Sequence, residues 1–326
     1  MEKKLKLRDI IVLLVILVLV VATLYCVIMI VENAMQDKKT TSPTEQSKTI
    51  VRDGVAYYPR QDMVVILVAG IDEFGPVSNS GTYNNPGEAD MVSLVIFDQK
   101  KETMDVLALN RDTMLDMTVL GVGGKPAGTR FGQLALAHTY GSGLSDSAEN
   151  LKSAVSSFLY DLKIDYYVTM NMDAIALIND AVGGVTVEVE EDFSAIDPTI
   201  GKGSVKLNGQ QAVHYLRSRQ GLGDQLNLTR MERQERYMTS FVEILRGKLQ
   251  ENPSLALTVY EELAPYMVTD LSANALAGLV DFYSDYTMGQ IHSVKGENVV
   301  EEFMEYHVDK DALDKLILQL LYAPKS

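Results

Sequence analysis

The chain has 326 residues, with 29 Lys and Arg against 44 Asp and Glu, a formal charge of −15 and a single cysteine. So acidic a protein repels nucleic-acid phosphates, and one Cys26 excludes an intrachain disulfide framework. His138, His214, His292 and His307 lack metal-ligand spacing, and neither a Gly-x-Ser-x-Gly elbow nor a His-Glu-x-x-His motif occurs.

Lys3, Lys4, Lys6 and Arg8 precede an apolar run from Ile10 to Val31, broken only by Thr23 and Tyr25. An α-helix needs ~20 apolar residues to cross a hydrocarbon core, and the positive flank stays in the cytoplasm. The pattern predicts a cytoplasmic tail over residues 1–9 and one uncleaved transmembrane helix over 10–31, with the rest of the chain extracellular. Residues 32–60 are polar and without hydrophobic period, which predicts a flexible extracellular linker. One domain is expected over 61–326, with a helical part from about 251.

That domain opens on Met63-Val64-Val65-Ile66-Leu67-Val68-Ala69-Gly70, a continuous apolar run that predicts a strand buried on both faces. It ends at Asp72. A second strand, Met91–Phe97, follows Asp90; a five-residue polar turn then leads into a third, Met104–Leu109, which ends in Asn110-Arg111-Asp112. If all three pair antiparallel, Asp72, Asp90, Arg111 and Asp112 meet on one rim of the sheet. Two carboxylates there suit Mg²⁺, a hard ion that takes one or two carboxylates plus phosphate oxygens. Gly121–Pro126 has Pro126 after the lysine where a phosphate loop needs Ser or Thr, so it reads as a surface loop.

Further along, helices are expected over Phe131–Tyr140 and Ser145–Tyr160, the latter with a capping-box spacing between Asp146 and Glu149. Strands are expected over Asp165–Met170 and Val185–Val189, and a helix over Asp173–Val182 stopped by Gly183-Gly184. Asn208 is a good cap for a helix over Gly209–Leu216, and a long helix starts near Leu228. Thr269-Asp270-Leu271-Ser272 predicts another helix start. Helix and strand alternate throughout, which predicts an α/β or mixed α+β class around one central sheet.

Arg217, Arg219, Arg230 and Arg233 crowd into a short stretch of this acidic chain. Guanidinium forks match phosphate geometry and stay charged, so the cluster points to a bound phosphate. On the long helix, Arg230, Arg233, Gln234 and Tyr237 fall at i, i+3, i+4 and i+7, one face of the helical period.

The ordered set of motifs resembles the LytR-CpsA-Psr family of bacterial cell-envelope proteins. It comprises the N-terminal anchor, the strand ending Gly-x-Asp, Asp90, Asn110-Arg111-Asp112 and Ala137-His138-Thr139-Tyr140-Gly141. Val182-Gly183-Gly184-Val185, Leu207–Ala212, Arg217-Ser218-Arg219 and Arg230-x-x-Arg233-Gln234 complete it. The resemblance spans roughly residues 60–326. It implies an α-β-α sandwich around a central mixed sheet, with a groove for the polyprenyl chain of a lipid-linked glycopolymer. It also implies transfer of a wall teichoic acid, capsular polysaccharide or related polymer from a polyprenyl pyrophosphate carrier to peptidoglycan at the cell membrane. Asp72 and Asp90 would then hold Mg²⁺ or Mn²⁺, and Arg111, Arg217, Arg219, Arg230 and Gln234 would grip the pyrophosphate, with Arg233 on the same helix face. Asp112 or Asp72 would handle the acceptor's proton, with Arg111 among the catalytic groups. The chain departs from the family pattern at Glu88, where an arginine is usual, and at Asn227, where an aspartate is usual. Pyrophosphate hydrolysis, or non-catalytic binding of the lipid carrier as a scaffold or sensor, are the rival readings.

Overall fold

A computed structural model describes residues 49–218, 227–252, 254–275, 278–279 and 286–324. The chain divides into two units, Met1–Gln46 and Ser47–Ser326, and every described residue belongs to the second. The transmembrane helix expected at 10–31 lies outside the described residues. Among the described residues, no helix is long and apolar enough to cross a membrane.

Fifteen strands are numbered in chain order: β1 Ile50–Arg52, β2 Val55–Pro59, β3 Met63–Ile71, β4 Ala89–Asp98, β5 Thr103–Leu109, β6 Met114–Leu120, β7 Pro126–Gln133, β8 Tyr166–Asn171, β9 Val185–Val189, β10 Gly203–Leu207, β11 Met267–Thr269, β12 Thr287–Ser293, β13 Gly296–Val300, β14 Met304–Val308 and β15 Tyr322–Pro324. The helices used below are α1 Ser145–Phe158, α2 Met172–Ala181, α3 Gly209–Arg217, α4 Asn227–Glu251, α5 Leu255–Leu263 and α6 Lys310–Leu321.

The central sheet has the order β11-β8-β3-β4-β5-β12. β3, β4 and β5 pair antiparallel as expected, while β8 joins β3 and β12 joins β5 in parallel, so the sheet is mixed. Its two faces differ. Val65, Leu67, Ala69 and Ile71 of β3 pack with Val92, Leu94 and Ile96 of β4 into the main core, against α1 and α6. On the other face Val68 pairs with Val168 and Gly70 with Met170, and all four stay only half-buried. The expectation of a strand sealed on both faces therefore holds for one face; the other lines a groove. A second, smaller core unites Val185, Val187 and Val189 of β9 with Tyr215 of α3 and Tyr237 of α4.

Several elements differ from the sequence reading. Residues 50–59, expected as linker, form the β1–β2 hairpin, with Ile50 buried and β15 added along β2. Phe131–Tyr140 is not an α-helix: its start belongs to β7, and a single 3-10 turn covers Leu134–Ala137. The β7 strand is paired with β6 and exposed along most of its length, so no alternating burial marks it. The expected capping box of α1 is absent; the Asp146 carboxylate instead accepts from the Ser142 backbone N–H at 2.8 Å and from its hydroxyl at 2.6 Å. The C-terminal part is not mainly helical, since β11 to β15 run through it. A helical segment does open at Ala273, directly after the expected start signal. Around α3, the Asn208 side chain accepts from Gln211 N, and the Gln211 side chain accepts from Asn208 N, a complete capping box.

Arg60 anchors the entry to β3. It donates to Asp98 from both Nη1 (2.8 Å) and Nη2 (2.9 Å), and to Asp62 as well. Asp98 is 1% exposed at the β4–β5 turn, where it also accepts from the backbone of Lys100 and Lys101. Burial alone would push its carboxyl up, but the Arg60 and Lys101 hydrogen bonds outweigh this and hold it at about 2. Breaking a buried pair strands a charge. Arg60→Ala is expected to cost about 3 kcal/mol in urea unfolding. Because the folded pKa is depressed, the wild-type increment is present above pH 3.8 and fades as pH falls through about 2. The variant's deficit measured at pH 7 should therefore shrink in acid.

Candidate functional site: a charged rim above an apolar groove

Antiparallel pairing carries the end of β3, the start of β4 and the end of β5 to one rim. A register shift between Gly70 and Ile71 leaves Asp90 as the extra residue opposite them, and Asp72 N donates to Glu88 O at 2.9 Å. Such a bulge re-aims side chains at a strand end. Here it brings Asp72, Glu88 and Asp90 to the same end of the β3–β4 pair.

Arg111 sits among these carboxylates, 8% exposed. Its Nη2 donates to Glu88 Oε2 at 2.6 Å, its Nη1 pairs with Asp90 Oδ1, and its Nε reaches Asp112 Oδ1 at 3.3 Å. Asp112 is itself buried and also accepts from Gln133 Nε2 at 3.0 Å. Its backbone carbonyl accepts from Tyr306 N on β14, so the β13–β14 hairpin braces it from outside the central sheet.

Arg217, the last residue of α3, reaches the same rim. Its Nη2 lies 2.8 Å and its Nε 3.1 Å from Asp72 Oδ1, and its guanidinium lies 5.3 Å from the Phe74 ring centroid. Asp72, Arg217 and Glu88 are the accessible members, with side chains 33%, 44% and 39% exposed. Phe74 was not singled out from sequence; the available signal is a large aromatic in a Gly-Pro-Asn-rich loop.

The remaining expected residues divide. Arg219 lies outside the described residues, and Arg230 is described only as part of α4. Arg233 is 1% exposed: its Nε donates to Tyr215 O at 3.0 Å, its Nη2 donates to Ser218 O, and its guanidinium lies 5.7 Å from the Phe193 ring centroid. Gln234 Nε2 reaches Leu216 O at 3.4 Å, and the Tyr237 hydroxyl bonds Asn179. This helix face therefore turns inward, onto the carbonyls that end α3, and its buried polar groups are paired there.

The loop before Asp90 is held by the Ala137–Gly141 segment. Asn85 Nδ2 donates to His138 O and Gly141 O, each at 2.9 Å, and Asn85 Oδ1 accepts from Gly87 N. His138, 2% exposed, donates from Nδ1 to Gly87 O at 2.8 Å. Glycine is required at 141, where an added Cβ would lie 2.3 Å from Ser147 Oγ and 2.7 Å from Ser147 Cα.

Beneath the rim lies a cavity of about 210 Å³. Val168 and Met170 of β8, Ile178 of α2, Phe241 and Leu245 of α4 and Ala256 of α5 are among the residues that line it. Met170 pairs with Gly70, two residues before Asp72, so groove and rim share adjacent strands. Among the described residues, no group of three or more His, Cys, Asp or Glu side chains is arranged to hold a metal.

Burial lowers the pKa of His138 from 6.5, against the opposing bond to Gly87. An unfolded chain takes up a proton that the folded imidazole resists, so stability falls as pH drops below about 6.5. Calorimetric melting between pH 7 and 5 should show this fall, and His138→Asn should flatten it.

Comparisons with known proteins agree with this architecture. The chain is 24% identical over 282 residues to "Polyisoprenyl-teichoic acid--peptidoglycan teichoic acid transferase TagU" of Bacillus subtilis, covering 84% of this chain and 82% of that protein. Among solved structures, B. subtilis TagV is 22% identical with TM-score 0.61, covering 80% of this chain and 96% of that one. TagT bound to LIIa-WTA is 20% identical, also with TM-score 0.61, covering 86% and 96%. The LytR_cpsA_psr family model matches residues 24–320, nearly the whole of the chain, which therefore belongs to that family.

Proposed function

We propose that this chain transfers a glycopolymer, of the teichoic acid or capsular polysaccharide class, from a polyprenyl pyrophosphate carrier to peptidoglycan at the outer face of the cell membrane. The observation that carries this reading is the sharing of β3 and β8 by an apolar groove and an arginine-bearing rim. A polyprenyl pyrophosphate has that same division: a long hydrocarbon joined to a compact anion. The names of the curated relatives point to the same donor and acceptor.

In this reading the lipid lies between β8, β11 and helices α2, α4 and α5, and its pyrophosphate meets Arg217 and Arg111. Arg219 and Arg230 would join the same grip, while Gln234 reaches Leu216 O and acts with Arg233 on the end of α3. An acceptor hydroxyl attacks the glycan-side phosphorus. The bond from that phosphorus to the bridging oxygen breaks, a lipid monophosphate leaves, and a phosphodiester remains on the acceptor. Fixed guanidinium groups stabilise the charge on the equatorial and leaving oxygens. Asp72, a half-exposed carboxylate at the end of β3 beside Arg217, takes the hydroxyl proton. Asp112 is a positioning residue, since both of its described side-chain partners, Arg111 and Gln133, hold it in the interior. Arg233 likewise acts through position, by holding the carbonyls of Tyr215 and Ser218 and so the end of α3 that presents Arg217.

The carboxylates fit a hard divalent cation that takes two of them and completes its shell with phosphate oxygens and water. Asp72 and Asp90 would hold Mg²⁺ or Mn²⁺, which when bound neutralises charge on the pyrophosphate. The anchor at residues 10–31 keeps the domain beside its lipid substrate.

One assay tests the activity. Labelled lipid-linked polymer is incubated with peptidoglycan fragments, with Mg²⁺ or with chelator. Label on peptidoglycan in the Mg²⁺ arm is the expected result. Free phosphorylated glycan indicates hydrolysis, and intact bound donor indicates a scaffold or sensor. Two arginine variants should part company: Arg217→Ala loses donor binding with an unchanged melting temperature, whereas Arg233→Ala loses about 3 kcal/mol of stability. In the groove, Ala256→Phe should weaken binding of a long polyprenyl pyrophosphate about tenfold and leave inorganic pyrophosphate binding unchanged.

A further inference from the structure

Arg111 is unusual for a phosphate-binding arginine because all three of its nitrogens already face carboxylates. A guanidinium grips phosphate through two parallel N–H donors, and with a carboxylate on each of its three nitrogens a phosphate on any edge of Arg111 competes with at least one of them. The three are not equal. The side chains of Asp90 and Asp112 are each 6% exposed, while that of Glu88 is 39% exposed. Asp112 is further held by Gln133. Glu88 contributes a flexible side chain from a backbone that is fixed: its carbonyl accepts from Asp72 N, and the preceding Gly87 is bonded to both Asn85 and His138. At Gly87 itself an added Cβ would lie 2.8 Å from Ile71 Cγ2, so this backbone is closely packed.

We propose that Glu88 is a built-in anion occupying the phosphate position on Arg111, and that the donor's pyrophosphate enters by displacing it. The inference rests on the reading of the rim as a pyrophosphate site and adds a gate to it. Among the described residues the rim sets Asp72, Glu88, Asp90 and Asp112 against Arg111 and Arg217, so an incoming anion meets excess negative charge. With Glu88 swung outward, Nη2 of Arg111 is released while Asp90 and Asp112 keep the guanidinium plane fixed. The gate therefore confers selectivity: a ligand must supply enough anchoring elsewhere, through its lipid in the groove and through Arg217, to offset the lost Glu88–Arg111 pair. Inorganic phosphate lacks such anchoring and is disfavoured.

The test measures farnesyl pyrophosphate binding to the full-length protein in detergent micelles by calorimetry, with chelator present so that metal binding does not enter. Glu88→Gln keeps the shape and removes the charge, and is expected to bind roughly fivefold tighter than wild type, at the upper end for a half-exposed ion pair. Glu88→Asp retains the charge and should stay near wild type. In an Arg111→Lys background the gain from Glu88→Gln should vanish, which a general field effect would not produce. Equal or weaker binding by Glu88→Gln, or a gain that persists without Arg111, overturns the gate while leaving the pyrophosphate site intact. Failure of both wild type and Glu88→Gln to bind overturns the gate and the site together.

Discussion

The ion pairs around Arg111 are the constraint on which the rim depends. Three chain segments converge on one guanidinium: the loop before β4 brings Glu88, the bulge opening β4 brings Asp90, and the turn after β5 brings Asp112. A delocalised charge with donors in a rigid plane can satisfy three carboxylates at once, where a lysine ammonium offers only a point charge. Two of the three carboxylates are in turn braced by different neighbours. Gln133 from β7 and Tyr306 from β14 hold Asp112, and His138 and Asn85 hold the loop that carries Glu88. The Ala137–Gly141 motif has a structural explanation in this bracing.

The second organising feature is the asymmetry of the central sheet. One face is closed by α1 and α6 around a dry core; the other leaves Val68, Val168 and Met170 half-buried beside a cavity. Half-buried apolar surface is held at a cost unless something covers it. The parallel pairing of β3 and β8 ends both strands at the rim, so the apolar wall and the charged residues lie within a few residues of each other along the chain. Fold topology thereby joins two chemistries that a polyprenyl pyrophosphate also joins.

Much of this was legible in the residues. β3, β4 and β5 announce themselves as apolar runs bounded by polar turns, and their antiparallel order alone puts Asp72, Asp90, Arg111 and Asp112 on one rim. The Asn208 cap was readable for the same local reasons, although α3 runs one residue beyond the expected end, to Arg217. What was not readable depended on distant partners. Leu134-Ala135-Leu136-Ala137 favour helices and form only a 3-10 turn, while Phe131–Gln133 just before them are drawn into β7 by pairing with β6. The strands after residue 265 are short and gain their identity from β8, β5 and β2. The face carrying Arg233, Gln234 and Tyr237 has the periodicity of a ligand-binding surface. The same spacing serves equally well to cap a neighbouring helix, and the carbonyls of Tyr215 and Ser218 are what Arg233 meets. Glu88 is a fourth case: its pairing with Arg111 crosses two strands, and no local pattern signals it.

The central claim is that lipid and pyrophosphate occupy one continuous site formed by the groove and the rim. Photo-crosslinking with a polyprenyl pyrophosphate that carries a photoreactive group on its isoprenoid tail, followed by mapping of the labelled peptides, tests this directly. Label on β8 and α4, at or beside Val168, Met170, Phe241 and Leu245, and suppressed by excess unlabelled lipid, is the predicted result. Competable label elsewhere, with those segments unmodified, would contradict the account.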